Sequence, residues 1–287
     1  MATPSEPARR GDEPPGRDPA RDPSPPGEAS RRLRRIEWDA ITGVMMREVI
    51  NFGAAWKQGV FASTVQPVVY LLAFGLGFGQ LVHRVDGHDY IDYVSTGTVA
   101  TAVLFSTAFN AMFGSFVKRE FQRTYDAILS TPVDVEELVT AEVLWLAVRG
   151  GLFGSVPILV GIAFGLDPAW TTIFVPLVAM LTGFGFAASG TLISAVVGSI
   201  DDFSYVTSAL FTPLFLVAGT FFPLTGLPLA FRILAELNPL HHCVELVRDC
   251  TFGDVDPTDL ARVGALVLFA ALMWWGAVDR TRRRLIA

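Results

Sequence analysis

The chain has 287 residues, of which 51% are hydrophobic and only 17% charged, with a formal charge of −6 and a mean hydropathy of +0.44. Soluble domains carry roughly 25% charged residues, and a bilayer-crossing helix needs about 20 mostly apolar ones. The composition therefore excludes a soluble enzyme domain on one anchor and leaves room for about six spans.

Residues 1–32 hold eight of the 18 prolines and no apolar run. They read as a disordered tail, because they cannot bury enough surface to offset their ordering entropy. The apolar middle of a signal peptide is missing. In residues 33–57, Leu33, Ile36, Ala40, Ile41, Val44, Met45, Val49 and Phe52 recur at helical spacing. Arg34, Arg35, Asp39, Arg47, Glu48 and Asn51 occupy the other side. With its basic start, this predicts an amphipathic helix lying in an anionic interface.

Six apolar segments follow, at about residues 60–82, 93–117, 138–164, 170–200, 206–222 and 260–278. Pro67 predicts a kink in the first. The third carries Glu142 and Arg149, and the fourth has no charge. The predicted fold class is an all-α integral membrane protein. It has six transmembrane helices, an N-terminal interfacial amphipathic helix and an external re-entrant hairpin before the last helix. The hairpin reading comes from residues 223–257, which Pro223, Pro228 and Pro239 break into short apolar pieces.

One face collects the N-terminal arginines, then Lys118, Arg119 and Arg123, then Arg280, Arg282, Arg283 and Arg284. The other holds only Arg84, Arg232, Arg248 and Arg262. Cytoplasmic loops carry the excess of Lys and Arg, so both termini, including the basic tail 281–287, are expected in the cytoplasm of a multi-pass inner-membrane protein. Trp56, Trp170, Trp274 and Trp275 fall near predicted span ends, as interfacial anchors do.

The cytoplasmic connection, residues 118–137, has Phe121, Tyr125, Ile128 and Leu129 on one helical face, and Pro132 ends the pattern. Two readings are open: a solvated loop helix, or apolar anchors for a partner's groove. Arg149 inside a span costs about 2.5–3.5 kcal/mol on insertion scales. Either it faces a pathway or gate, or the span starts later and Arg149 snorkels at the boundary. Glu142, two turns back, is its candidate counter-ion. Gly75-x-x-x-Gly79, Gly150-x-x-x-Gly154 and Gly161-x-x-x-Gly165 predict close helix approach.

No metal site is expected. His241 and His242 are adjacent, and neighbouring helical residues point about 100° apart. Cys243 and Cys250, seven apart, would be about 10 Å from each other on a continuous helix, too far to bridge, whereas a helix break between them would permit a bond. No catalytic residues emerge, since HExxH, nucleophile-elbow and CxxC patterns are absent. The only lysines, Lys57 and Lys118, follow Trp56 and Val117, so the chain also lacks the Gly-Lys pair of a nucleotide-binding loop.

The stretch REFQRTYDAILSTPVDVEELVTAEV, residues 119–143, resembles the segment after the second span in permeases of the type-2 ABC exporter family. LNPLHHCVELVRDCTFG, residues 237–253, resembles their signature before the last span. The likeness is to nodulation lipooligosaccharide and daunorubicin exporter permeases, and it extends over about residues 33–280. It implies an ATPase-coupling helix at Glu120, Phe121, Thr124, Tyr125, Asp126, Leu129 and Pro132. It also implies an external signature at Asn238, Pro239, His241, Glu245 and Arg248. A separate ATP-binding cassette ATPase would hold ATP and Mg, so this chain itself needs no cofactor. A second permease copy, as a homodimer, and membrane lipid are the other implied partners. Nucleic acid is not among them. The expected cargo is an amphipathic drug, lipid or lipid-linked saccharide. The rival readings are a secondary transporter and a membrane-embedded enzyme.

Overall fold

The structure is a computed structural model, and it describes residues 37–286 apart from 80, 83, 86, 225 and 227. The tail 1–32 and Leu33, Arg34, Arg35 and Ile36 lie outside the described residues. Among those described, the chain is helical except for a small antiparallel hairpin, Arg84–Val85 paired with His88–Asp89.

Four helices are long and apolar enough to cross a membrane, among the described residues: α2 (Tyr90–Phe121), α4 (Val135–Ala163), α5 (Trp170–Val196) and α9, whose apolar stretch is Thr258–Leu285. They correspond to the second, third, fourth and sixth predicted segments. The other two segments differ from expectation. α1 runs unbroken from Trp38 to Leu71, so the interfacial helix and the start of the first segment form one rod. It passes through Pro67, and a π-turn follows at Leu72–Leu76. The fifth segment becomes α6, residues 202–216, in three five-residue pieces of α, π and α geometry. At 1.5 Å per residue this reaches roughly 22 Å, short of a hydrocarbon core of about 30 Å.

Between α2 and α4 lies α3 (Thr124–Leu129). Between α6 and α9 lie α7 (Leu229–Glu236) and α8 (Pro239–Phe252). Pro228 and Pro239 each stand where a helix begins, since a missing N–H is harmless there. The side chain of Asn238 accepts from Leu240 N at 3.0 Å and caps α8.

α2 is central. Its apolar window is 72% buried, against 22% for α9. Val99, Val103, Leu104, Ala108, Met112 and Phe116 of α2 pack with Ala179 and Phe186 of α5 and with Leu240, Val244 and Val247 of α8. Small residues allow this proximity. A methyl group on Gly150, Gly154 or Gly161 of α4 would strike Thr107, Val103 or Ser95 of α2, so the predicted glycine spacing builds the α2–α4 seam. Gly165 differs from the other five glycines of the predicted pairs. It has φ +112 with open space around it, and it lies just past the end of α4.

Candidate functional site

Two polar assemblies occupy the opposite ends of α2. The first surrounds Lys118. The last turn of α2, Val117–Phe121, is a π-turn. Lys118 Nζ donates to Glu142 Oε1 of α4 at 2.9 Å and to Glu48 Oε1 of α1 at 3.0 Å. Arg47 Nη1 reaches the same Glu48 oxygen at 2.9 Å. Tyr125 Oη donates to Glu142 Oε2 at 2.5 Å. Tyr125 is buried, and burial followed by the Glu142 charge holds its phenol well above its ordinary range. It therefore remains a neutral donor.

This placement corrects the expectation for the 118–137 connection. The apolar face of α3 has ample surface of its own protein to cover. Tyr125 packs with Ile41 and Val44 of α1 and Leu138 and Ala141 of α4, with Ile128 and Leu129 beside it. Phe121 alone of the four predicted anchors points outward, 68% exposed. Asp126 and Pro132 are exposed, and Asp126 lies 3.6 Å from Arg123. Thr124 Oγ1 donates to Gln122 Oε1 at 3.4 Å and starts α3. Glu120 is exposed and holds Arg119 at 3.0 Å and Arg284 at 3.3 Å.

Sequence reading missed the two arginines that finish α5. Arg119 Nη2 donates to Ser194 O at 2.6 Å. Arg284 Nη1 donates to Ala195 O at 3.0 Å and Val197 O at 2.7 Å. They satisfy carbonyls that a helix C-terminus leaves open, where a cation also suits the dipole. The positive cluster was legible, but the acceptor 75 residues away from Arg119 was not.

Arg149 is the central residue of the 29-residue α4 stretch. Its guanidinium lies 4.8 Å from the centroid of Phe52, and its Nε has no hydrogen-bond partner. Glu142 is not its counter-ion, because both Glu142 oxygens serve Lys118 and Tyr125. A cavity of about 180 Å³ lies between these groups, lined by Glu48, Asn110, Ser115, Lys118, Glu142 and Arg149 among others.

The second assembly surrounds Arg248 of α8. Its Nη1 donates to Glu245 Oε1 at 2.7 Å, its Nη2 donates to Gly219 O at 3.3 Å, and its plane lies 3.8 Å over the Tyr93 ring. Gly219 has φ +83, a left-handed turn that glycine tolerates. Tyr93 Oη also donates to Gly219 O, at 3.3 Å. His241 Nδ1 lies 3.0 Å from Ala218 O, and Asn238 Nδ2 donates to Leu214 O at 2.7 Å. So His241 and Arg248 of α8 hold the loop after α6, Glu245 supports Arg248, Asn238 ties the start of α8 to the end of α6, and Pro239 opens the helix.

Beside them Arg262 of α9 pairs with Asp249, with Asp259 at 2.7 Å and with Glu245 at 3.6 Å. Burial, then neighbouring Asp259, pushes the Asp249 carboxyl up to about 7. A cavity of about 360 Å³ opens here. Sequence reading did not find Tyr93, Gly219, Asp249, Asp259 or Arg262. The Asp259–Arg262 spacing of three was the available signal.

No group of three metal-ligating side chains occurs among the described residues. Cys243 and Cys250 are buried and free on unbroken α8. Burial pushes the Cys243 thiol up to about 12, so it is inert.

Residues 40–252 match the family model for ABC-2 type transporters. The chain is 30% identical over 236 residues to Nodulation protein J of Rhizobium leguminosarum bv. trifolii, covering 81% of this chain and 90% of that one. It is 28% identical over 261 residues to Nodulation protein J of Bradyrhizobium diazoefficiens, covering 86% and 99%. It is 25% identical over 253 residues to the inner membrane transport permease YadH of Escherichia coli strain K12, covering 87% and 98%. With four apolar helices long enough to cross a bilayer, the chain belongs to the ABC-2 type transporter family and is a transmembrane transport permease.

Proposed function

We propose that this permease is the transmembrane half of an exporter driven by a separate ATP-binding cassette ATPase. Two identical copies and two ATPases make the transporter. Each copy crosses a bacterial inner membrane six times, with both termini cytoplasmic. Residues 60–82 supply the first span, α6 with the loop to residue 222 supplies a shortened fifth, and residues 223–257 re-enter the outer leaflet. ATP and Mg are held by the ATPase. The cargo is an amphipathic drug, lipid or lipid-linked saccharide.

One observation carries this reading. Phe121, a large aromatic, stands exposed on a short segment that Arg119 and Tyr125 anchor inward. An exposed aromatic on the same connection as Thr124, Asp126 and the exposed Pro132 suits a partner's groove. The energy source must be separate from any Gly-Lys phosphate loop in this chain, since neither lysine follows a glycine.

Arg149 lines the pathway in this reading, because a mid-helix cation whose Nε makes no hydrogen bond suits a passing polar headgroup. Arg149→Ala should lower transport about tenfold, the weight of one contact of roughly 1.4 kcal/mol. Unchanged transport at normal expression removes Arg149 from the pathway.

A second reading has one feature in its favour. The Glu48–Lys118–Glu142 cluster is the kind of intramembrane charge a proton-coupled transporter uses. The test uses inside-out vesicles containing permease and ATPase, with a fluorescent phospholipid and daunorubicin as probes. The exporter reading expects probe movement that needs ATP and persists when an ionophore collapses the proton gradient. Movement without ATP, abolished by the ionophore, overturns it.

A further inference from the structure

Resting on the exporter reading, we infer that Glu142 is the positioning residue through which displacement of the ATPase-docking segment reaches the membrane helices. Its two oxygens serve different masters. Oε2 accepts from Tyr125 of α3 at 2.5 Å, and Oε1 accepts from Lys118 at the end of α2 at 2.9 Å. Lys118 continues to Glu48 of α1 at 3.0 Å. One buried carboxylate on α4 thus ties together α1, α2 and α3.

The link is stiff where it must transmit and loose where it must switch. Tyr125 and Glu142 are both buried, and the 2.5 Å bond between them is short and charge-assisted. α3 has only six residues, no side-chain cap, and Arg123 before it in the left-handed region. Its seat is therefore set by Tyr125 and its apolar neighbours rather than by its own helical stability. Lys118, by contrast, sits in a π-turn beside the 180 Å³ cavity. It bridges Glu48 and Glu142 there, with free volume on one side. The next residue, Arg119, is fixed to the end of α5. A movement of α3 then pulls on α4 directly, and on α1 through the lysine.

A merely space-filling role for Tyr125 would be met by phenylalanine, and this supplies the test. The permease carries spin labels at Met46→Cys and Val255→Cys, both exposed, while the native cysteines are buried. It is assembled with its ATPase in lipid discs. The distance between labels is read before and after trapping with ATP and vanadate. The same is done in Tyr125→Phe and Glu142→Gln backgrounds. Trp274→Phe serves as a control that removes a different cross-helix hydrogen bond, to Thr140 at 2.9 Å.

The expected result is a distance change in the parent and in Trp274→Phe, lost in Tyr125→Phe and Glu142→Gln while the ATPase stays bound. The same distance change in Tyr125→Phe as in the parent overturns the role of Glu142 and leaves the exporter reading standing. A parent that binds no ATPase, or whose labels do not move on trapping, overturns the exporter reading and the relay with it. Because Tyr125→Phe is nearly isosteric, its result stands even if Glu142→Gln fails to fold.

Discussion

At the scale of single residues, the two ends of α2 behave differently because their charges are matched differently. Around Lys118 two carboxylates face Lys118 and Arg47, with Arg149 across the same cavity, and Tyr125 fills the remaining acceptor. Removing one donor leaves a buried oxygen unsatisfied, which costs about 1–3 kcal/mol. Tyr125→Phe should therefore lower the thermal midpoint of the purified permease. An unchanged midpoint would mean that water replaces the hydroxyl. Around Arg262 three carboxylates face one guanidinium, with Arg248 shared through Glu245, so negative charge is in excess. Burial first, and then the neighbouring Asp259 carboxyl, pushes the Asp249 carboxyl up to about 7. A carboxyl whose folded value is raised contributes stability at low pH and loses it as pH rises through the folded value. The permease should thus lose stability between about pH 4 and pH 7 from this group, and Asp249→Asn should flatten that part of the profile. Melting curves at pH 5 and pH 8 check it, and an identical pH dependence in the variant would contradict it.

At the scale of elements, close helix contact through glycine organises the bundle. A methyl group on Gly97 would lie 2.5 Å from Thr220 O and 2.8 Å from Thr220 Cα, both backbone atoms that cannot step aside. Gly114 has nothing within 4 Å. Gly97→Ala should cost about 1–3 kcal/mol, as overpacking does, whereas Gly114→Ala should be neutral or slightly stabilising. Equal midpoints for the two variants would show that the α2 seam is looser than drawn. Helix identity was legible for α2, α4, α5 and α9, because long apolar runs signal themselves by length alone. The continuity of α1 was not legible. Its first half is amphipathic and its second half apolar, and the change of character at about residue 57 suggested a boundary that the backbone does not have. α6 was misjudged in length, since an apolar run does not disclose where the loop at Gly219 turns it aside. The inward turn of Tyr125 was also hidden. Its cover comes from Ile41 and Val44, more than 80 positions earlier, and pattern within α3 gives no hint of them.

At the scale of the whole molecule, the proposed exporter separates an intake of force from a place of passage. α2 runs between the two polar assemblies and is the most buried of the four long helices. Its Lys118 end is bound to α1, α4 and α5 by charged hydrogen bonds. Its Tyr93 end holds the loop after α6 against α8. Family membership and the absence of a Gly-Lys phosphate loop agree that this chain moves something without splitting ATP at such a loop itself. The central claim is that energy enters where Phe121 stands exposed. The most direct measurement is the affinity of the ATPase for the permease in lipid discs, with Phe121→Asp compared against the parent. Burying a charge in place of an aromatic anchor costs at least about 2 kcal/mol, so binding should weaken by more than about tenfold. Equal affinity for parent and variant would contradict the account.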